Sequence, residues 1–181
     1  MNRTILAAIT LAAGIGLLAA GCGGSASGAA VTKSGTETIT GTLKGDAAMA
    51  NNPAFHLTFR GPVNTTATFP LGIAPRKGQT HTIKTAAGDF VFVTGKTSTT
   101  EKLLSTSTCR FELATTVPYT VSGAHSTGQF AGATGSGKAT VALAGNLPKL
   151  SDGKCNMTST AVPTAGTVVS TFTAAGPLTL K

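Results

Sequence analysis

Short runs in which apolar and polar residues alternate, separated by glycine, proline and asparagine, constrain this chain more than any other feature. In Phe55-His56-Leu57-Thr58-Phe59-Arg60 the three apolar residues share one face of an extended chain, and His56, Thr58 and Arg60 share the other. Gly61-Pro62 then supplies a turn, and Val63 to Phe69 alternates again. Asp89-Phe90-Val91-Phe92-Val93 is apolar on both faces, as expected of a strand covered from each side. Ser107 to Leu113 places Cys109, Phe111 and Leu113 together against Arg110 and Glu112, and Val117, Tyr119 and Val121 form the next stripe. Thr36 to Leu43, Lys138 to Ala144, Thr167 to Thr173 and Leu178 to Leu180 complete a set of roughly eight to ten short strands. No helix-length crossover and no sustained apolar repeat at helical spacing separates them, so the sheet is expected to be mainly antiparallel. Abundant Thr, Gly, Ala and Val, with Phe as the main aromatic residue and no Trp, agrees with β-structure and many turns. A sandwich and a barrel both fit this spacing.

The stretch Val121-Ser122-Gly123-Ala124-His125-Ser126-Thr127-Gly128-Gln129-Phe130-Ala131-Gly132-Ala133-Thr134-Gly135-Ser136-Gly137 bears on that choice. It resembles the "GGTGrFagAtGsG" segment of the dirigent and allene oxide cyclase-like barrel proteins, in which a strand, a glycine-rich turn and the next strand follow one another. The likeness extends more loosely over residues 36–181, and is greatest to secreted bacterial members with one cysteine before the stretch and another in an element like Gly153-Lys154-Cys155. The family's second glycine is replaced here, near Ala124-His125-Ser126. The resemblance implies an all-β domain over 36–181, an antiparallel barrel of about eight strands. Glycines suit such a fold by allowing positive φ in tight turns and strand coiling at barrel corners, and closure removes exposed sheet edges.

The N-terminus has a different character. A short positive start (Asn2, Arg3, Thr4) leads into an apolar run from Ile5 to Ala20, and then into Leu18-Ala19-Ala20-Gly21-Cys22 followed by Gly23-Gly24-Ser25. Small residues just before a cysteine resemble the lipobox of bacterial lipoprotein signals, with the departure that Ala19 stands where that family usually has Leu and Leu18 one place earlier. The resemblance implies a signal peptide at 1–21, cleavage between Gly21 and Cys22, and diacylglycerol on the Cys22 thiol, with palmitate or a similar acyl chain on the new amino group. Two or three acyl chains hold a protein stably on a membrane, where one holds it weakly. Residues 22–35, rich in Gly, Ser, Ala and Thr, read as a flexible tether. The expected location is the extracytoplasmic face of a cell membrane.

Removal of 1–21 leaves a chain long enough for one domain with its own core, and takes only Arg3 from a formal charge of +8. The basic residues are scattered and not interleaved with stacking aromatics, which argues against nucleic acid as a partner. A diffuse positive field suits anionic lipid or cell-wall polymer, and also suits solubility alone. With Cys22 lipidated, Cys109 and Cys155 remain, and outside the cytoplasm an isolated pair is most simply a disulfide. It closes a loop of about 46 residues, a constraint valued at roughly 4 kcal/mol in the chain-entropy model.

Several motifs do not carry the chemistry they suggest. Gly132 to Lys138 matches the GxxxxGK skeleton of a phosphate loop, but Ala139 replaces the required Ser or Thr, and the following residues read as a strand instead of a helix. No nucleotide is expected. His56, His81 and His125 form no HxH or HxxxH pattern and are expected to be surface or hydrogen-bonded residues, so neither a metal nor another cofactor is expected. The acidic residues show no paired-carboxylate signature, and Glu112 beside Arg110 reads as a surface ion pair or, on a lumen face, a ligand-orienting one. No nucleophile elbow or Ser-x-x-Lys element is present, so no catalytic residue is assigned.

Three functions are therefore in view. The first is a non-enzymatic surface lipoprotein whose barrel binds a small apolar or amphipathic ligand, or a surface partner, with Phe55, Leu57, Phe59 and Tyr119 as candidate lining residues. The second is an allene oxide cyclase-like or dirigent-like enzyme or coupling guide, which calls for a carboxylate or the Tyr119 hydroxyl beside a ligand. The third is a structural envelope protein, which calls for a filled interior.

Overall fold

The computed structural model describes residues 32–44, 48, 53–70, 75–158 and 160–181; the signal segment, Cys22 and most of the tether lie outside them. Nine strands follow in chain order: β1 (Lys33–Lys44), β2 (Ala54–Arg60), β3 (Thr65–Pro70), β4 (Thr80–Thr85), β5 (Gly88–Thr94), β6 (Ser98–Ser105), β7 (Arg110–Val121), β8 (Thr134–Asn146) and β9 (Val169–Leu180). Every pairing is antiparallel. Neighbours run β5-β4-β3-β2-β1-β9-β8-β7, and a pairing of β5 with β7 closes these eight strands into a barrel, with β6 appended on β7. The expected eight-stranded antiparallel barrel is the observed one. β1 begins at Lys33, so residues 33–35, read as tether, belong to the first strand.

Alternation assigns the faces. Ile39 and Leu43 on β1, Phe55, Leu57 and Phe59 on β2, Ile83 on β4, and Phe172, Ala174 and Leu178 on β9 point into one continuous buried core. β5 breaks the alternation because both faces are covered, as its sequence implies. Phe90 and Phe92 face the core, while Val91 lies beneath residues 122–127: its N–H donates to Ser126 Oγ at 3.0 Å, and its carbonyl accepts from the Ser122 N–H at 2.8 Å.

Two prolines sit inside strands without breaking them. Along β7, Tyr119–Val121 pair with β5 and Arg110–Thr116 pair with β6, so Pro118 falls where the neighbour changes. Its carbonyl accepts from the Gly95 N–H at 2.7 Å. Proline's missing N–H therefore forgoes only the reciprocal bond to Gly95, just past the end of β5. Pro177 of β9 likewise falls at a gap in the β8–β9 ladder, between the pairs Gly135–Leu178 and Lys138–Ala175.

The glycine-rich stretch forms the plug of one barrel end. After β7 the chain crosses that end through residues 122–133, with a single 3-10 turn at Gly128–Phe130 that drives Phe130 into the core, fully buried against Phe59 and Phe90. Gly88 (φ +125°) and Gly128 (φ +59°) let the β4–β5 hairpin and the plug touch backbone to backbone: a Cβ on Gly88 would collide with the Thr127 carbonyl oxygen. At the opposite end Cys109 and Cys155 form the expected disulfide, Cα atoms 5.3 Å apart, tying residues 147–168 to the start of β7. Cys109 itself is in the turn before β7, at φ 54°, and not in the strand stripe with Phe111 and Leu113.

Gly88→Ala is expected to destabilise the barrel by about 3 kcal/mol or more, since strain and a backbone collision add. Gly78→Ala, at φ +79° with nothing within 4 Å of the new Cβ, is expected to cost only about 1 kcal/mol. Urea denaturation of the two variants checks the difference.

Candidate functional site

Side-chain size divides the barrel lumen into two halves. At the plugged end Phe59, Phe90, Phe130 and Tyr119 pack edge to face or tilted, with centroids 5.2–6.4 Å apart, and leave no large void. Toward the disulfide end the inward positions of β7 and β8 are smaller: Thr115 and Val117, then Ala139, Val141 and Leu143. The shortfall in volume is a cavity of about 330 Å³. Its far wall carries Phe69 and Pro75, and Phe172 tilts against Phe69 at 6.0 Å. Phe92, Ala139 and Phe172 form its floor, since they also border a void of about 10 Å³ below, which Tyr119 and Phe90 touch from the other side.

Four polar side chains enter the cavity wall. Two are already occupied: Thr94 Oγ1 donates to the Arg76 carbonyl at 2.6 Å, and Thr115 Oγ1 lies 3.2 Å from Thr99 Oγ1. The other two are buried without a hydrogen-bond partner among the described residues, namely His81 Nε2 and Ser170 Oγ. The His81 ring stacks on its cross-strand partner Phe92, centroids 5.4 Å apart and planes 21° apart. Burial pushes the His81 pKa below 6.5, so the ring is neutral at physiological pH. β4 and β9 are four positions apart in the eight-stranded ring, so His81 and Ser170 stand on opposite walls.

A second buried polar pair belongs to the filled half. Glu37 is 2% exposed; its Oε2 accepts from the Val63 N–H at 2.9 Å, and its Oε1 has no partner among the described residues. Burial raises the Glu37 pKa, and the N–H groups of Val63 and Arg60, with the charge of Lys33, offset part of that rise. Burial and the neighbouring Glu37 carboxylate push the Tyr119 hydroxyl up to about 12. Tyr119 pairs across strands with Gly137, where any Cβ would strike the phenol ring, so glycine at 137 makes room for the tyrosine.

The candidate lining residues are thus partly redistributed. Phe55, Leu57 and Phe59 all face inward and are 1% exposed. Phe55 packs behind the cavity against Phe172, and Phe59 belongs to the plug cluster. None of the three is in the cavity wall, and Tyr119 borders only the small void beneath its floor. His56 and His125 are exposed, as their sequence contexts imply, whereas His81 is neither at the surface nor hydrogen-bonded among the described residues. Arg110 and Glu112 make no ion pair; among the described residues the ion pair is Lys154–Asp152, at 3.0 Å. Residues after Lys138 continue β8, so no helix N-terminus follows the GxxxxGK skeleton. His81 and Ser170 carry one sequence signal: each is in phase with core residues of its own strand, Ile83 and Phe172.

Comparison with protein-family models, curated proteins and solved structures finds no match to this chain. The fold and site define a closed antiparallel barrel with a plugged half and a hollow, apolar half. Among the described residues no helix is long and apolar enough to cross a membrane, and no cluster of His, Cys, Asp or Glu has the arrangement of a metal site.

The Glu37 proton supplies a test of the filled half. A carboxyl whose pKa is raised on folding binds its proton more tightly in the folded state, so folding loses stability as pH rises above the ordinary value of 4.5. Glu37→Gln is expected to raise the melting temperature at pH 7.5, with the gain shrinking towards pH 4. Thermal unfolding of both proteins across that range checks it.

Proposed function

We propose that this protein is an exported, lipid-anchored barrel that binds a small apolar or amphipathic molecule in the hollow half of its lumen. The cavity carries this reading. At about 330 Å³ it falls in the size range of small-ligand sites, and it has the usual make-up of one, mostly apolar with a few polar groups. A barrel that served only as a scaffold gains nothing from an unfilled half, because each lost packing contact destabilises it. An allene oxide cyclase-like or dirigent-like activity calls for a carboxylate or the Tyr119 hydroxyl in the cavity, and Glu37 and Tyr119 instead lie below its floor. Ligand binding is therefore the preferred reading.

The anchor rests on the likeness of Leu18–Cys22 to a lipobox, and on the arithmetic by which two or more acyl chains hold a protein on a bilayer. The Cys109–Cys155 disulfide is in keeping with an oxidising compartment outside the cytoplasm. The chain enters the barrel at Lys33, at the plugged end, so a lipid on Cys22 tethers the domain by the end opposite its cavity. The ligand then reaches the site from the side facing away from the anchoring membrane.

Native mass spectrometry of the protein purified from its own envelope tests both halves of this proposal. The expected species begins at Cys22, carries diacylglycerol and acyl mass, lacks two hydrogens for the disulfide, and holds a non-covalent small molecule that organic solvent releases. An unprocessed, unacylated Met1–Lys181 chain would contradict the anchor. Protein free of any co-purified molecule, and unable to take up apolar probes, would contradict the ligand site.

A further inference from the structure

We infer that the cavity selects an uncharged amphiphile, an apolar body with a neutral hydrogen-bonding function such as a hydroxyl, held by Ser170 Oγ and His81 Nε2. This rests on the cavity being a ligand site and names the chemistry of what fills it.

Ser170 is fully buried and His81 is 8% exposed; both residues line the cavity, and each has a polar atom that no described group satisfies. A buried polar atom without a partner destabilises the fold, and most proteins give such an atom a partner. Thr94 and Thr115, in the same wall, have theirs. A serine hydroxyl donates and accepts, and a neutral imidazole nitrogen does one or the other according to its tautomer. A ligand hydroxyl, which also does both, satisfies either wall. A pure hydrocarbon leaves both atoms unmet.

No Lys, Arg, Asp or Glu is among the described wall residues. Arg76 and Lys77, next to the wall residue Pro75, are exposed to solvent. The residues between β1 and β2, and those between β3 and Pro75, contain no lysine or arginine. A carboxylate head inside this cavity would lose its hydration with no counter-charge to replace it, and an ammonium head would find no carboxylate among the described wall residues. The neutral state of His81 that its burial favours removes the one cation the wall could supply.

The test is displacement of N-phenyl-1-naphthylamine, an uncharged apolar fluorophore, from the full-length chain at pH 7.5; the absence of Trp leaves its signal clean. Octan-1-ol and octanoate are the competitors, with Ser170→Ala and His81→Phe as variants. Octan-1-ol is expected to displace the probe at a concentration about ten-fold or more below that of octanoate. The double variant Ser170→Ala/His81→Phe should weaken octan-1-ol by about two- to ten-fold, the worth of one hydrogen bond, and each single variant by less. All three should keep the cooperative thermal unfolding of the wild-type chain, which shows that they fold. Displacement is read as an inhibition constant, so that any change in the probe's own affinity is divided out. If the wild-type chain does not bind the probe, the ligand-site reading itself fails. If the probe binds and octanoate competes as well as octan-1-ol, the selection for neutral heads is overturned. Octanoate binding that Arg76→Gln weakens would place a charged head at the rim instead, and also overturn it. An octan-1-ol affinity unchanged in the double variant would overturn Ser170 and His81 as the anchors.

Discussion

Three residue pairs, Phe92–Val121, Val93–Thr120 and Thr94–Tyr119, close β5 onto β7 and turn a sheet into a barrel. Both faces of the lumen depend on that seam. Without it, β5 would be an open edge, and Phe90, Phe92 and Tyr119 would have no opposite wall to pack against. The seam is short because β7 serves two neighbours. Its C-terminal end completes the barrel and its N-terminal part carries β6, with Pro118 and Gly95 at the change-over. Proline is tolerated there because the one ladder bond its missing N–H forgoes, to Gly95, lies just past the end of β5.

Closure makes a lumen, and side-chain volume decides what the lumen holds. The plug brings Phe130 from outside the strands into the half already occupied by Phe59, Phe90 and Tyr119, and that half is filled. The other half receives Ala139, Val141, Thr115 and Ser170, whose combined bulk does not fill a barrel of this strand number. The disulfide ties residues 147–168 to β7 at the hollow end, where there are fewer aromatic contacts to hold the loops. A disulfide-tied loop beside an unfilled volume suits preorganised binding.

The architecture was legible wherever alternation was strong. β2 reads directly from Phe55, Leu57 and Phe59, and the double-sided burial of β5 from its run of four apolar residues. β4 is not legible from alternation because a polar residue, His81, occupies the core-facing position between Thr80 and Thr82. β6 gave no signal at all, since its residues are nearly all exposed and it pairs with β7 alone. β9 reads as two pieces because Ala174-Ala175-Gly176-Pro177 lacks alternation; a Cβ on Gly176 would meet the Ser136 carbonyl, so close strand approach dictates the small residue. The site was less legible than the fold. Alternation says which residues face inward, but not which inward residues touch empty space. That depends on the volumes of neighbours from six strands, and on a plug contributed by a loop.

The central claim is that the disulfide-side half of the lumen is hollow and apolar. A crystal structure determined under xenon pressure tests it directly, because xenon enters dry apolar cavities of this kind and not well-packed cores. The account predicts xenon density beside Phe92, Val141 and Phe172, with none among Phe59, Phe90 and Phe130. An absence of xenon in a lumen closed by inward-turned side chains would contradict it.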